Sequence, residues 1–259
     1  MMKPLLELSI VIPVYNEAEN IELTLSKLIE TLTCFYEILI VYDFDEDTTI
    51  SVVGPLTLKF PQIKLLKNTI SRGPSGAIRS GFISAQGEKV LVLMADLCDD
   101  ITQIPKLLSL LPAEADIVSP SRYCRGGGQI IHTASFLKVW LPKIANLLLK
   151  HLIGMPSSDS TNSFKIYSSE LVKSLKLRST VSFSVTLEII VKAYCLGYRI
   201  REIPTVWQDR QVGKSNFKLI RSLFVYLPWL LLAFFHSRVI RLPKKWWQKR
   251  FEYQNLYEL

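Results

Sequence analysis

The stretch Val90–Asp100, VLVLMADLCDD, decides the fold. An unbroken apolar run ends in three acids within five positions, Asp96, Asp99 and Asp100. A run this short, bounded by polar residues, reads as a strand covered on both faces. Such a strand delivers its last carboxylate to the sheet edge where ligands of open α/β sheets gather. Two roles are open for Asp96: a carboxylate for a metal and a diphosphate, or the start of a loop before a capped helix. Its place at the sheet edge favours the first. Asp99 and Asp100 read as helix caps. Met94 stands two positions before Asp96, where a second carboxylate would complete a metal clamp.

Working outward, LSIVIPV (8–14) is a buried strand, and NEAENIELTLSKLIETL (16–32) a helix with Ile21, Leu25, Leu28 and Leu32 on one face. EILIVYD (37–43) and IKLLKN (63–68) are further strands. SGAIRSGFISAQG (75–87) reads as a helix capped by Gly87. KVLVLMA (89–95) is the fourth strand, ITQIPKLLSLL (101–111) a helix, and ADIVSPSRY (115–123) a fifth strand. This alternation predicts βαβ units and a mostly parallel sheet flanked by helices. The informative residues should then follow the apolar runs: Pro13–Glu17, Asp43, Asp96, and Ser121–Tyr123.

The second half is less regular. FLKVWLPKIANLLLKHLIG (136–154) is an amphipathic helix with Pro142 as a break, and DSTNSFKIY (159–167) a polar loop entering a strand. FSVTLEIIVKAYCLG (183–197) is a helix capped by Gly197, and YRIREIPTVWQ (198–208) an edge strand ended by Pro204.

The 259 residues suffice for one large α/β domain with an appendage; apolar residues make up 49% and the mean hydropathy is +0.23. The net charge of +8 is local. Ten Lys and Arg and no acid lie between Arg210 and Arg250; without them the 31 basic residues fall to 21, against 23 acidic ones. The four cysteines are far apart and show no metal spacing, which fits a reduced, cytoplasmic chain. Met1–Glu7 runs directly into the first strand without a signal-peptide pattern.

SIVIPVYNEAENI, the acidic strand end, SRY followed by GGG, DSTNSFKIY and EIPTVWQDRQVGKSNFK together resemble the family 2 glycosyltransferases, and among them the dolichyl-phosphate mannosyltransferase and polyprenyl-phosphate branch. The resemblance covers roughly residues 8–217 and rests on the order and spacing of the motifs. It implies the GT-A fold, an inverting transfer from a GDP- or UDP-sugar (mannose- or glucose-like), and Mg2+ or Mn2+ as cofactor. By the same resemblance, Pro13, Tyr15 and Glu17 form the first nucleotide loop, Asp43 reads the base, and Ala95 and Asp96 lie in the Asp-x-Asp motif, with Asp96 on the metal. Arg122 and Arg210 hold the diphosphate or an acceptor phosphate. Lys165, Glu188 and Lys214 face the acceptor. Three departures each remove a charged group: Met94 for the first acid of that motif, Tyr42 before Asp43, and Asn216 after Ser215.

The residue types suit the chemistry. A leaving nucleoside diphosphate gains negative charge, which prepositioned cations must stabilise. Arginines bind phosphate oxygens bidentately. A hydroxyl acceptor needs a general base, and Glu188 and Asp159 are candidates. A polyprenyl phosphate is already ionised and needs none. Two alternatives stay open beside the lipid-phosphate reading: transfer to a hydroxyl, and a non-catalytic nucleotide-sugar-binding protein, for which Met94 and Tyr42 speak. Several residues have plain structural readings as well. Glu17 suits the first turn of a helix, and Glu188 can simply be hydrogen-bonded within its helix bundle. The Gly126–Gly128 run reads as a loop, and His132 and His151 as ordinary residues. No Gly-rich phosphate loop follows the first strand, which disfavours a nucleotidyltransferase.

The last segment, 218–259, is read apart from the 1–217 catalytic domain. Its core LFVYLPWLLLAFF (223–235) reaches roughly 20 Å as a helix, short of the roughly 30 Å hydrocarbon core. Basic residues flank it on both sides, and Trp229, Trp246 and Trp247 suit the level of lipid headgroups. It packs on the domain as a core helix, or it lies on an anionic membrane at the cytosolic face; the tryptophans and flanking charges favour the membrane, and they argue against nucleic acid as partner.

Overall fold

A computed structural model describes residues 6–131, 143–144, 146–147, 149–210, 219–239 and 242–253. The first half alternates as the apolar runs predict: β1 (Leu8–Pro13), α1 (Ala18–Thr31), β2 (Tyr36–Tyr42), α2 (Thr48–Lys59), β3 (Ile63–Lys67), α3 (Pro74–Ser84), β4 (Lys89–Val92), a 3-10 turn (Ile101–Gln103) leading into α4 (Ile104–Leu110), and β5 (Ile117–Ser121). The second half adds β6 (Gly128–Ile130), β7 (Lys165–Ser168), α5 (Ser169–Ser174), α6 (Ser184–Leu196), β8 (Ile200–Pro204), β9 (Val206–Gln208), α7 (Leu219–Phe234) and α8 (Lys244–Phe251).

Seven strands form one sheet in the order β3-β2-β1-β4-β7-β5-β8. Only β7 is reversed: it runs antiparallel to β4 and to β5, and every other pairing is parallel. The C-terminal ends of β1, β2, β4, β5 and β8 therefore share one edge, and the chain enters β7 from that same edge. The sheet is buried on both faces. Val11, Val41, Val90, Val92 and Tyr167 point to the layer of α3 and α6. Ile10, Ile12, Ile38, Leu91 and Ile166 point to that of α1 and α4. Strand alternation explains the split. Each fully buried Ile, Leu or Val contributes about 1.5–3 kcal/mol.

The expected α1 stripe of Ile21, Leu25, Leu28 and Leu32 is buried throughout. Gly197 caps α6 at φ 75°, in the left-handed region. Gly87, in contrast, is not a cap. The helix ends at Ser84 with an extended Ala85 as its C-cap. A Cβ at Gly87 would stand 2.6 Å from the Ser9 amide nitrogen, so the glycine lets the chain pass against β1. α2 was hidden in the sequence by its β-branched residues and by Gly54 and Pro55, both poor helix formers. The amphipathic helix expected around 136–154 falls mostly outside the described residues; 149–153 form a π-helical turn.

α7 runs on through Pro228 instead of breaking there. Tyr226, Ala233, Trp247 and Phe251 are buried in the α3–α6 core layer, so α7 and α8 dock on the domain. The other face of α7 stays apolar and exposed: Phe224 (73%), Leu227, Leu231 and Phe234, spaced three or four apart. Among the described residues, no helix is long and apolar enough to cross a membrane.

Candidate active site

Loops from the shared edge lock onto one another. Asn16 sits at φ 55°, a left-handed conformation that Asn tolerates. Its amide donates to both carboxylate oxygens of Asp47, at 3.1 and 3.2 Å. Asp47 also caps α2 through the Thr49 amide at 2.9 Å. Thr48 N–H donates to Asn16 Oδ1 at 3.1 Å, and Glu17 N–H to Thr49 Oγ1 at 2.9 Å. The β1–α1 and β2–α2 loops are thus one unit. Asp47 was missed in the sequence, although its place before Thr48-Thr49 is an N-cap signature.

On this unit Tyr15 is exposed at 56% and meets Phe44 edge-on, with centroids 5.6 Å apart. Asp43 accepts from Asn68 Nδ2 at 2.6 Å and from the Gly73 amide at 2.7 Å, tying the end of β2 to the loop before α3. Pro13 and Ala95 are buried. Ala95 receives the Thr24 hydroxyl on its carbonyl at 2.9 Å. These two shape the loops from behind.

The centre of the edge gathers three residues far apart in the chain. Arg210 Nη2 donates to Glu17 Oε1 at 2.7 Å and to Asp96 Oδ2 at 3.4 Å. The second oxygen of Glu17 takes Asn20 Nδ2 at 2.9 Å, and that of Asp96 the Cys98 amide at 3.2 Å. Burial opposes the charge of Arg210, but the hydrogen bond to Glu17 and the charge of Asp96 outweigh it and raise its pKa. Next to Asp96, Leu97 is held at φ 59°. A non-glycine residue in that region costs on the order of 1–3 kcal/mol, a strain that clusters at functional sites.

Of the two acids expected to cap, only Asp100 does so, accepting from Thr102 N–H at 3.1 Å and from its hydroxyl at 2.6 Å. Asp99, half-buried by area but closely surrounded, is pushed up to about 8, first by burial and then by the charge of Asp96.

Arg122 is clamped by Asp159. Its Nε and Nη2 donate to the two carboxylate oxygens at 2.6 and 2.7 Å, and its amide donates at 3.1 Å. Burial acts against the guanidinium, yet the Asp159 charge more than offsets it, so the Arg122 pKa is raised. The ring of Tyr123 lies 5.1 Å and that of Trp207 5.9 Å from its Cζ. Together with Gly128, Gln129 and Lys143, Arg122 lines a cleft. Glu202, not singled out in the sequence, holds the loop of Asp159: it accepts from Ser157 Oγ at 3.1 Å, from Ser158 Oγ at 2.9 Å, and from the Ser158 amide.

Two acceptor candidates are displaced by the structure. Lys165 is 0% exposed and donates to the carbonyls of Asp159 and Asn162, so it braces the loop from inside. Burial pulls its pKa down to about 8, against the charge of Asp159. Glu188 is also 0% exposed. It accepts from the amides of Arg178 and Ser179 at 2.8 and 2.7 Å and from Lys192 at 2.5 Å. As a base for a hydroxyl, Glu188 and Asp159 are both fully committed. Lys214 lies outside the described residues.

A mostly parallel sheet flanked by helices is the architecture of GT-A-like glycosyltransferases, and such a neighbour aligns over 88% of this chain. The neighbour that shows it is the crystal structure of glucosyl-3-phosphoglycerate synthase from Mycobacterium tuberculosis with Mn2+, UDP and glucosyl-3-phosphoglycerate, at TM-score 0.65 and 15% identity, matching 79% of that chain. This chain belongs to glycosyl transferase family 2, whose family model matches residues 9–176. It is 29% identical over 233 residues to dolichol-phosphate mannosyltransferase of Pyrococcus furiosus, matching 86% of this chain and 62% of that protein. It thus spans less than two thirds of that relative. Undecaprenyl-phosphate mannosyltransferase of Micrococcus luteus is 28% identical over 211 residues, 80% of this chain and 85% of that protein.

The neighbour's complex contains Mn2+ beside UDP. The donor set of this chain does not fit such a hard cation. Mg2+ and Mn2+ want oxygen ligands. Here the position two before Asp96 is Met94, which brings no carboxylate, and burial and then Asp96 push up the pKa of the Cys98 thiol. Asp96 is already ion-paired. The described residues contain no group of three His, Cys, Asp or Glu able to hold a metal.

Proposed function

We propose that this glycosyltransferase moves a hexose from a nucleotide-diphosphate sugar, GDP- or UDP-linked, to a polyprenyl phosphate at the cytosolic surface of a membrane. The convergence of Glu17, Asp96 and Arg210 at the ligand edge carries this reading. The similarity to dolichol-phosphate and undecaprenyl-phosphate mannosyltransferases supports it.

In the reaction, an acceptor phosphate oxygen supplies an electron pair to the anomeric carbon. The bond from that carbon to the diphosphate breaks, and its pair leaves with the nucleoside diphosphate. Arg210 lies where that charge grows, and Arg122 lines the adjoining cleft, rigidly aimed by Asp159. The phosphate acceptor also explains why the carboxylates around the site are tied up: no proton has to be removed. Tyr15 and Phe44 offer a ring surface for the base, and Asp43 holds the loop beneath it.

One observation favours a hydroxyl acceptor instead. Asp99, its pKa raised to about 8 first by burial, can serve as a base once the pH passes that value. A single experiment separates the two. The chain is incubated with labelled GDP- and UDP-sugars and a short polyprenyl phosphate from pH 6.5 to 9. Sugar-lipid formation with a flat profile is expected, with Asp96→Ala lowering it roughly tenfold to a hundredfold by freeing Arg210. A rate that rises with pH through about 8 and needs a hydroxyl compound would establish the second reading, because Asp99 is a base only once deprotonated. Turnover of neither donor, with nucleotide still bound, would sink both.

Membrane placement rests on α7 and α8. A helix docked on a domain normally turns polar residues outward, whereas α7 exposes Phe224, Leu227, Leu231 and Phe234. Lys244, Lys245, Lys249 and Arg250 are exposed beside the exposed Trp246. Basic residues near an anionic leaflet contribute on the order of 1 kcal/mol each. The full chain is expected to sediment with phosphatidylglycerol vesicles and to be released by high salt. The double change Leu227→Ser and Leu231→Ser is expected to weaken binding about tenfold, since each removes buried apolar area. Indifference of the unaltered chain to anionic vesicles would rule the placement out.

A further inference from the structure

Within the transferase reading, we infer that the Arg210 guanidinium takes the place of a divalent metal at the donor's diphosphate. The four carboxylate oxygens of Glu17 and Asp96 each accept a hydrogen bond within the protein. Two take Arg210 Nη2, one takes Asn20 Nδ2, and one takes the Cys98 amide. A metal bridging Glu17 Oε1 and Asp96 Oδ2 would have to displace the guanidinium that now holds both. The position two before Asp96, from which a second local carboxylate would come, is the uncharged Met94.

What remains of Arg210 suits the task. Only Nη2 is used by the two acids, so among the described residues the two N–H groups of Nη1 and the one of Nε remain to donate. Nη1 can donate its two N–H groups to diphosphate oxygens while the acids hold Nη2, and the positive charge then lies against the diphosphate. The guanidinium is charged at every working pH and needs no ligand exchange. Glu17 and Asp96 then act as positioning residues: they fix the orientation of a cation that touches substrate. The bond changes are those of the transfer itself. The glycosyl–oxygen bond breaks with its pair going to the diphosphate, the acceptor phosphate supplies the new pair, and Arg210 keeps its protons throughout.

The test reads nucleotide binding, not turnover. UDP and GDP are titrated calorimetrically into the full chain in EDTA and in Mn2+. The nucleotide that binds is expected to show dissociation constants within about threefold of each other, because no metal–carboxylate clamp contributes. Met94→Asp restores a second carboxylate and is expected to make Mn2+ tighten binding by about tenfold or more, with loss of the free Mn2+ spin-resonance signal that the unaltered chain leaves intact. Arg210→Ala is expected to weaken binding in EDTA by about tenfold or more, with Arg210→Lys intermediate because it keeps the charge but cannot hold both acids and the diphosphate with one planar group. Melting curves confirm that the variants are folded; if Met94→Asp does not fold, the unaltered chain decides alone. Binding that weakens more than about tenfold in EDTA overturns the substitution and leaves the transferase reading in place. Failure of a folded chain to bind either nucleotide, with or without Mn2+, overturns both.

Discussion

Replacing Asp159 with alanine is expected to destabilise the protein by about 3–5 kcal/mol, the usual cost of stripping a buried charge of its partner. Asp159 is fully buried, and the Arg122 side chain it grips is only 15% exposed. Without the carboxylate, the guanidinium loses two side-chain bonds and its amide loses an acceptor. The Lys165 ammonium stays nearby with one counter-charge fewer. Two cations would then share a pocket from which water is excluded. For a chain of this size the loss corresponds to a melting point lower by roughly 6–20 °C, which calorimetry reads directly. Asp159→Asn keeps the shape and one acceptor, so its loss should be smaller. Activity per folded molecule should fall in both variants, because Arg122 is no longer aimed. A loss of stability below about 1 kcal/mol would mean that the pair behaves as a solvated surface bridge.

Glu188→Ala should be about as costly, for a related reason and with a different signature. The change leaves Lys192, 1% exposed, without its 2.5 Å partner, and orphans the amides of Arg178 and Ser179. Together these imply about 3–5 kcal/mol, with at least 1 kcal/mol from the unmet amides. Burial already pulls the Lys192 pKa down, against the charge of Glu188. The ammonium also sits 5.3 Å from the Trp229 ring and 5.2 Å from that of Phe251, on α7 and α8. Limited proteolysis should therefore show the C-terminal helices cut first. Exchanging both partners, Glu188→Leu with Lys192→Met, should recover much of the loss, since a buried pair replaced by apolar groups of similar volume is often neutral. The turnover of the folded fraction should be unchanged. A collapse in turnover with normal stability would instead place Glu188 at the acceptor.

Why the acceptor candidates Lys165 and Glu188 prove buried while Glu17, Asp96 and Arg210 meet at one edge is a matter of range. Apolar runs such as Val90–Leu93 are local, and a parallel sheet places the residue after each run at one edge; Glu17, Asp96 and Arg210 could be nominated from the chain and do meet. The reversal of β7 is not written in its four residues, and it brings the 157–163 loop to the same edge. The partners of Arg122 and Lys165 depend on that reversal: Asp159 is 37 positions from Arg122. Buried charge has no local signature either. Lys165 lies in a polar loop sequence and Glu188 on an apolar helix, yet both are 0% exposed. Gly87 shows a third limit. A glycine after a helix suggests a cap, but only the packed strand reveals that Ser9 is the reason for it.

β6 and β9, paired in parallel outside the main sheet, determine how the site can move. The strand leading to Arg210 is pinned on both flanks: Gln208 N–H donates to the carbonyl of Cys98, and Asp209 N–H to that of Ile130, each at 2.9 Å. Arg210 therefore hangs from a riveted plank, one of whose rivets, two residues before it, is on the Asp96 loop itself. Backbone displacement of one drags the other, so their spacing is insulated from breathing elsewhere in the domain. The two sides of the site are thus held to each other through main-chain bonds as well as through the guanidinium.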